Sequence, residues 1–350
     1  MSERVRIGFV GVGHMGQCAH LRNYAALPDC EVVALAELRP VLREKAARKY
    51  GVPRTYASAT EMLAAEQLDG IVAAQPFTRH GAVLPELYAV GVPVMSEKPL
   101  AGSVEVGERL LETLAQGGSW HMVGYHKRSD PATMAAKREI DRLKSTGELG
   151  PMRYVRITMP PGDWVANGFF DVITDQPPQG LAADLPASDM NAEVYEAYIS
   201  FVNYYIHQVN LLRHLLGEPY RVTYAHPSGV LLAVESESGV AGAIEMAPYE
   251  TTVSWEESAL VAFQHGYVRL DLPAPLAINR PGQVEFMSDR GNGQVPSRTA
   301  PIVPMLGAMQ QQARNFVAAV RGDMAPLCQA AEALEDLRVA REYLRLWKGA

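Results

Sequence analysis

Short apolar stretches alternate with helix-period segments over the first third of the chain. In residues 5–124, β-branched runs are followed by loops and then by apolar residues spaced three and four apart. This alternation is typical of a parallel sheet wrapped by helices. The predicted strands are residues 6–10, 31–36, 70–74, 92–95 and 121–124. Pro40 and Gly51 stand where one of the intervening helices should begin and end.

After residue 124 the pattern changes to one short helix, a long loop, one long apolar helix and then several strands with period-2 alternation. The long helix is predicted at residues 197–216, and two closing helices at residues 305–320 and 325–346. The predicted strands are residues 153–159, 221–225, 230–235, 240–246, 258–263 and 268–272. Alternation of this kind favours an open, mostly antiparallel sheet with one helical layer.

One segment has no periodicity at all. Residues 161–191 are rich in Pro, Gly and Asp. Loops of this length are usually functional, so we interpret the segment as a candidate lid.

A glycine-rich loop joins the first predicted strand to a helix. Gly11-Val12-Gly13-His14-Met15-Gly16 has the GxGxxG spacing of a dinucleotide site, in which the first glycine permits the tight turn and the second admits a pyrophosphate. The third lets the helix pack on the strand. Glu37 follows Gly16 by 21 residues, where an acidic side chain binds the adenosine ribose. The fold class is therefore predicted as α/β, with a Rossmann dinucleotide-binding domain at 1–124 and a second α/β domain at 125–350.

The acidic residue also bears on the choice of cofactor. A carboxylate at Glu37 repels the 2′-phosphate of NADP, which favours NAD. Arg39 leaves NADP possible, because its guanidinium pairs with a 2′-phosphate if Glu37 turns aside; otherwise it stacks on adenine or faces water.

The length and charge of the chain limit the functional classes to which the protein can belong. A chain of 350 residues is long enough for two domains. The net charge of −7, with dispersed Lys and Arg, argues against a nucleic-acid partner. No apolar run is long enough to span a membrane, and no signal peptide is visible. The three cysteines, Cys18, Cys30 and Cys328, lack the paired spacing of a disulfide framework. We therefore expect a cytoplasmic protein. The histidines lack paired ligand spacing, so no metal site is predicted.

A second motif, Ser96-Glu97-Lys98-Pro99-Leu100, follows the fourth predicted strand. With Gln75-Pro76 and His80 after the third strand, and Val123-Gly124-Tyr125 with Arg128 at the domain junction, it resembles the signature of the Gfo/Idh/MocA oxidoreductase family. The resemblance extends to Gly147-Glu148-Leu149-Gly150 and so covers nearly the whole chain. It implies a Rossmann domain and a second domain whose open sheet joins subunits into a homodimer or homotetramer.

The resemblance also implies the residues that act. Lys98 matches the family's catalytic lysine, and an ammonium at the carboxyl end of a Rossmann strand can stabilise a developing alkoxide. The predicted cofactor-binding residues are Gly11, Val12, Gly13, His14, Met15, Gly16, Glu37, Leu38, Arg39, Ala74, Gln75, Pro76, His80, Glu97, Lys98 and Tyr125. The implied reaction is NAD(P)-dependent hydride transfer at a secondary alcohol or ketone of a sugar, inositol or related polyol.

The general base is expected on the long helix of the second domain, where the family pattern is Asp-x-x-x-His. The matching residues are Asn203 and His207, which share one helix face with Asn210 and His214. His207 is predicted to be the base, meeting Lys98 at the nicotinamide across an interdomain cleft. Asn203 departs from the pattern, because an amide lacks the negative charge of aspartate. Either His207 works without an acidic partner, or a carboxylate such as that of Asp189 or Glu196 takes the role.

Three further side chains are candidate substrate contacts: Trp164 and Tyr204 as walls against sugar C–H surfaces, and Arg128 as a partner for an acidic group. Ordinary packing or an ion pair explains these three equally well. His121 and His126 are interpreted as structural. Two other functions remain open. One is a non-catalytic regulator that senses dinucleotide and sugar; the other is a dehydrogenase acting on an imine or a tetrapyrrole-like molecule.

Overall fold

A computed structural model describes residues 4–174, 180, 182–291 and 293–349 of the chain. Residues 175–179 and 181 of the candidate lid lie outside the described residues. The chain divides into two compact units. The first unit comprises Met1–Tyr125, Phe169–Tyr195 and Met309–Leu337. The second unit comprises His126–Gly168, Glu196–Ala308 and Arg338–Ala350.

The first unit is built on a parallel sheet of six strands. The strands are β1 (Val5–Val10), β2 (Cys30–Ala36), β3 (Arg54–Tyr56), β4 (Gly70–Ala73), β5 (Val94–Ser96) and β6 (His121–Val123). They lie in the order β3-β2-β1-β4-β5-β6, with all neighbours parallel. This is the doubly wound order of a Rossmann domain, and its ligands bind beyond the carboxyl ends of the strands, where the strand order reverses at β1.

Helices flank this sheet. They are α1 (Arg22–Ala25), which continues a π-helical turn over Gly16–Leu21, then α2 (Pro40–Tyr50), α3 (Ala59–Ala65), α4 (His80–Tyr88) and α5 (Val104–Gly117). The expected bounds of α2 hold, because Pro40 occupies its first turn and Gly51 ends it with a φ of +70°. A later helix, α9 (Ala308–Val320), packs Phe316 edge-on against Tyr24, which itself packs against Phe9 of β1.

The second unit contains a larger sheet of eight strands. The strands are β7 (Met152–Met159), β8 (Tyr220–Ala225), β9 (Leu231–Ser236), β10 (Ala241–Met246), β11 (Glu257–Phe263), β12 (Gly266–Leu272), β13 (Gln283–Ser288) and β14 (Ser297–Thr299). Their order is β14-β13-β12-β11-β7-β10-β9-β8, and only the β7–β10 pair is parallel. The sheet is therefore mostly antiparallel, as predicted.

Two helices cover one face of this sheet. They are α6 (Pro131–Thr146), which packs on β12, and α8 (Ile206–Leu216), which packs on β7. Along β11, buried residues such as Ala259 and Val261 alternate with half-buried ones such as Leu260. This burial pattern is what period-2 alternation in the sequence produces when one face of a sheet is covered more fully than the other.

The helix predicted at 197–216 is interrupted. It is two helices, α7 (Ala192–Tyr204) and α8, with Tyr205 between them. The Tyr205 ring packs against Tyr204 at 5.0 Å and against Phe201 at 6.0 Å. The expectation of one uninterrupted helix is therefore wrong at Tyr205, although Tyr205 N still donates to Phe201 O and Val209 N to Tyr205 O across the junction.

Several shorter differences concern element bounds. Strands β3, β13 and β14 were not expected, and the last helix, α10 (Ala330–Lys348), begins later than predicted. In the described part of the chain, no helix combines the length and apolar character needed to cross a bilayer.

Candidate active site

The glycine loop fits the backbone geometry of a dinucleotide cradle. Gly11 has a φ of +85°, and a Cβ there would lie 2.4 Å from Gln75 Nε2, so only glycine is accommodated. A Cβ on Gly16 would lie 2.9 Å from the Gly11 carbonyl oxygen, which explains the close helix packing. Among the described residues, the nearest atom to a Cβ built on Gly13 is Arg39 Nη2 at 3.9 Å. The backbone at Gly13 is thus open to a ligand, as a pyrophosphate requires.

Glu37 follows β2 and lies beside this loop. Its Oε2 accepts a hydrogen bond from Val12 N at 3.0 Å. Arg39 donates twice to the carboxylate, from Nε to Oε1 at 2.8 Å and from Nη2 to Oε2 at 2.9 Å. Burial opposes ionisation of Glu37, but the bonds from Arg39 and Val12 outweigh it, and its pKa is lowered. The carboxylate is therefore charged at neutral pH, and the Arg39 guanidinium is already paired with it.

Lys98 follows β5 at the same edge of the sheet, and its backbone is held by the residue before it. Lys98 N donates to Glu97 Oε2 at 3.1 Å, while Glu97 Oε1 lies 2.5 Å from His20 Nε2 in a buried pair. Burial opposes the charged carboxylate, yet the His20 bond and the Lys98 charge outweigh it and lower the pKa of Glu97. The lysine itself is half-buried.

A buried chain of hydrogen bonds fixes the start of this loop. Ser96 Oγ donates to Glu97 O at 2.9 Å and lies 2.9 Å from His121 Nε2. His121 Nδ1 lies 2.8 Å from the Tyr88 hydroxyl. Since the Ser96 proton is used, His121 Nε2 donates to Ser96 and Nδ1 accepts from Tyr88. The interpretation of His121 as structural agrees with these contacts.

The loop after β4 completes this edge. His80 is fully buried and its Nδ1 lies 3.0 Å from Leu100 O, so it holds the far end of the Lys98 loop. Burial lowers the pKa of His80, which keeps the imidazole neutral. Gln75 lies against Gly11, and Ala74 N donates to Val10 O at 2.9 Å. Three loops of the first unit therefore meet at one sheet edge.

The remaining predicted residues of the first unit differ in exposure. His14, Leu38 and Pro76 are exposed, Met15 is half-buried, and Tyr125 is buried beyond the end of β6.

The second unit holds the other predicted residues. His207, in the first turn of α8, is half-buried, and its ring packs edge-on against that of His126 with centroids 4.5 Å apart. Arg128 donates from Nε to Asn210 Oδ1 at 2.6 Å, so both of these buried side chains are engaged with each other. The structure thus brings His207, His126, Arg128 and Asn210 together.

A buried ion pair adjoins this cluster. Lys127 Nζ pairs with Glu257 Oε2, and both residues are almost completely buried. Glu257 also accepts from Gln208 Nε2 at 2.7 Å and from Trp255 Nε1 at 3.2 Å. With three donors on one carboxylate, the pair has the compensation that a buried charge requires.

The other candidates for substrate contact are more exposed. Asn203 is exposed, Tyr204 is half-buried and burial raises the pKa of its hydroxyl, and Trp164 is 38% exposed. The alternative carboxylates, Asp189 and Glu196, are both exposed. Within the described ranges, no group of three or more His, Cys, Asp or Glu side chains is arranged to hold a metal ion.

The fold and loops of the first unit agree with a known family. Residues 5–125 match the family model GFO_IDH_MocA, described as an oxidoreductase family with an NAD-binding Rossmann fold. Residues 5–125 therefore resemble the NAD-binding domain of the Gfo/Idh/MocA oxidoreductases.

Several relatives align well beyond this domain. The chain is 26% identical over 251 residues to scyllo-inositol 2-dehydrogenase (NAD(+)) of Bacillus subtilis strain 168, covering 70% of this chain and 68% of the relative. It is 25% identical over 365 residues to inositol 2-dehydrogenase of Burkholderia cenocepacia strain HI2424, covering 96% and 97%. An oxidoreductase of Desulfitobacterium hafniense, named NADPH-dependent, has the same fold, with a TM-score of 0.77, 15% identity and coverage of 100% and 97%.

Sequence reasoning missed four buried polar residues of this protein: His20, Gln17, Lys127 and Glu257. Gln17 and His20 follow Gly16 within one helical turn, and Lys127 adjoins Arg128. The only sign of these buried residues in the sequence was that some of them are polar positions inside otherwise apolar segments. Their partners, such as Glu97 for His20, lie far away along the chain and could not be assigned from spacing.

Proposed function

We propose that this protein is an NAD-dependent dehydrogenase that interconverts a secondary alcohol and the matching ketone on a sugar, inositol or related polyol. The observation that carries the proposal is the Lys98 loop, held at the carboxyl edge of a Rossmann sheet by His20, Glu97 and His80. The match to an NAD-binding oxidoreductase family supports hydride transfer, and the names of the two inositol dehydrogenase relatives support a polyol substrate.

The residues divide into those that bind and those that react. The glycine loop and Glu37 hold the dinucleotide, and the bound nicotinamide supplies the hydride acceptor or donor. Lys98 binds the reacting hydroxyl and stabilises negative charge on its oxygen. His207 accepts the hydroxyl proton during oxidation and returns it during reduction. We propose that both groups act on the same hydroxyl.

The identity of any acidic partner of His207 is part of the proposal. The ring of His207 packs edge-on against that of His126. We propose that Asn203 positions the substrate through its amide, and that His207 acts either without an acidic partner or with a carboxylate such as that of Asp189 or Glu196. Exchange of Asn203 for Asp is the variant that reintroduces the family's charge.

For the cofactor we propose NAD in preference to NADP. Glu37 is ionised and lies against Val12 of the glycine loop, where a ribose hydroxyl finds an acceptor and a phosphate meets a negative charge. Arg39, the residue that left NADP open, is paired to Glu37 by two hydrogen bonds. A guanidinium that already donates two hydrogen bonds to a carboxylate has fewer N–H groups left to bind a 2′-phosphate.

Substrate binding is assigned to the second unit. Arg128, Trp164 and Tyr204 are the proposed contacts; of these, Arg128 donates from Nε to Asn210 Oδ1. We assign dinucleotide binding to residues 1–124 and substrate binding and assembly to residues 125–350. Assembly into a homodimer or homotetramer is proposed through the half-buried face of the eight-stranded sheet, which includes Leu260, Ala262 and Tyr154.

The decisive experiment is a panel of inositols, sugars and linear polyols, assayed for reduction of NAD with the wild-type protein and with Lys98→Met. Turnover of at least one compound by the wild type, reduced about 100-fold or more in the variant, is the expected result. Equal activity in the variant would remove Lys98 from the reaction. Binding of both NAD and a sugar without turnover of any compound would instead identify the protein as a sensor.

A further inference from the structure

Residues 169–174 belong to the first unit and lie against its first two helices. The Arg22 guanidinium lies 5.0 Å from the centroid of the Phe169 ring. Lys49 Nζ, near the end of α2, donates to Asp171 Oδ2 at 2.6 Å and to Asp171 O at 2.8 Å. Ile173 packs its side chain on the core of the unit. We call these six residues the docked segment.

One side chain connects the docked segment to the glycine loop. Gln17 is completely buried, and its Oε1 accepts from Ile173 N at 3.0 Å. Its Nε2 donates both to Ile173 O and to Val12 O, each at 3.0 Å. Both amide protons and the amide oxygen of Gln17 are therefore used. One partner residue, Ile173, is 156 residues from Gln17 along the chain, and the other, Val12, is five residues away.

The connection continues to the acid of the dinucleotide site. Val12, whose carbonyl accepts from Gln17, donates its own N–H to Glu37 Oε2 at 3.0 Å. A single path of hydrogen bonds thus runs from Ile173 through Gln17 and Val12 to Glu37. Because Gln17 reaches Ile173 and Val12 at once only when the glycine loop has this conformation, docking of the segment and ordering of the loop favour each other.

We propose that Gln17 is a positioning residue that couples the docked segment to the dinucleotide loop. The inference rests on the proposed dinucleotide site and adds to it a residue that no motif contains. Dinucleotide binding should stabilise the docked segment, and loss of the segment's contact with Gln17 should weaken dinucleotide binding by the same factor, because coupling between sites is reciprocal.

The main test uses Gln17→Met, which keeps the length of the side chain and removes its hydrogen bonds. Loss of the coupling should raise the Kd for NAD about tenfold in calorimetry. Hydrogen exchange supplies a readout that does not depend on activity: NAD should protect the Ile173 amide in the wild type and should protect it less in the variant. Circular dichroism and thermal unfolding without NAD check that the variant is folded.

Two controls separate coupling from general loosening of the segment. Ile173→Ala removes side-chain packing but leaves both main-chain bonds to Gln17, and Asp171→Asn weakens the contact with Lys49. Both should raise the Kd for NAD clearly less than Gln17→Met does, since each weakens docking but leaves the hydrogen bonds from Gln17 to Ile173 and Val12 in place. If Gln17→Met does not fold, Gln17→Asn replaces it; its amide is one methylene shorter, spans only one partner, and should still raise the Kd.

The outcomes distinguish this inference from the proposed function. A wild-type protein that binds neither NAD nor NADP contradicts the dinucleotide site itself. A wild type that binds NAD, together with a Gln17 variant that has the same Kd and the same NAD-dependent protection of Ile173, overturns the coupling and leaves the proposed function intact. An equal loss of affinity in the two controls also overturns it, because the effect would then be general.

Discussion

His20 Nε2 lies 2.5 Å from Glu97 Oε1, which joins the helix after the glycine loop to the loop that carries Lys98. Both side chains are buried, and Glu97 in turn accepts from Lys98 N. The backbone of Lys98, the proposed catalytic residue, is therefore held through a residue of the helical turn that follows the glycine loop. The His20–Glu97 contact thus links the glycine-loop side of this domain to the loop that carries Lys98.

Replacing His20 with Phe should leave the Glu97 carboxylate buried with one fewer donor. We expect kcat to fall at least about tenfold, and unfolding free energy to drop by about 1–3 kcal/mol because an unsatisfied buried group is costly. His20→Gln, which keeps a donor, should recover part of both losses. Steady-state kinetics and urea denaturation measure the two effects, with the exposed His226→Phe as control. Full kcat in His20→Phe would show that Lys98 is positioned without this contact.

The glycine loop and the strands around it can be predicted from the sequence because their signals are local. Gly11 and Gly16 are constrained by atoms of nearby loops, and the spacing to Glu37 reflects one strand–helix–strand passage. What spacing cannot reveal is a partner chosen by tertiary packing. The pairing of His20 with Glu97 spans 77 residues, and that of Gln17 with Ile173 spans 156.

The second half of the chain was harder to predict for the same reason. Period-2 alternation identifies β11 and its neighbours, whereas β14 has only three residues, all of them exposed, and gives no periodic signal. The break at Tyr205, whose ring contacts those of Phe201 and Tyr204, is not encoded in a helical period. Nothing in the sequence distinguishes Lys127 from a surface lysine, and only the fold buries it against Glu257.

Cofactor preference can be tested at Glu37. Glu37→Ala removes the ribose acceptor and releases Arg39, so we expect the ratio of kcat/KM for NADP over NAD to rise about tenfold or more, equivalent to about 1.4 kcal/mol. Glu31→Ala is a matched control, since Glu31 lies on the same strand and pairs with Arg4 at the surface. An unchanged ratio would mean that Glu37 does not select the cofactor.

The role of His207 can be tested through the dependence of activity on pH. An imidazole accepts a proton only when neutral, so kcat/KM for alcohol oxidation should fall at acid pH. His207→Ala should lower kcat by about 10²–10⁴-fold and remove that acid limb, while the Kd for NAD stays unchanged. Lys98→Met combined with His207→Ala should cost less than the two single losses together, because groups acting on one hydroxyl are not additive. Strict additivity would argue that they act in separate steps.

Acid stability should depend on His121. Burial lowers the pKa of this imidazole from 6.5 to about 3, so the unfolded chain binds a proton in a pH range where the native protein does not. Stability then rises with pH wherever the unfolded state holds more protons. The contribution of His121 is complete above pH 6.5 and is lost as the pH falls toward about 3.

The variant His121→Gln cannot titrate but can still donate to Ser96. Urea denaturation of both proteins at several pH values between neutral and mildly acidic should therefore give a flatter dependence for the variant, whereas His226→Gln, at an exposed site, should follow the wild type. Parallel curves for His121→Gln and the wild type would mean that the native protein tolerates a proton on this buried ring, and the Tyr88–His121–Ser96 chain would then have to rearrange at acid pH.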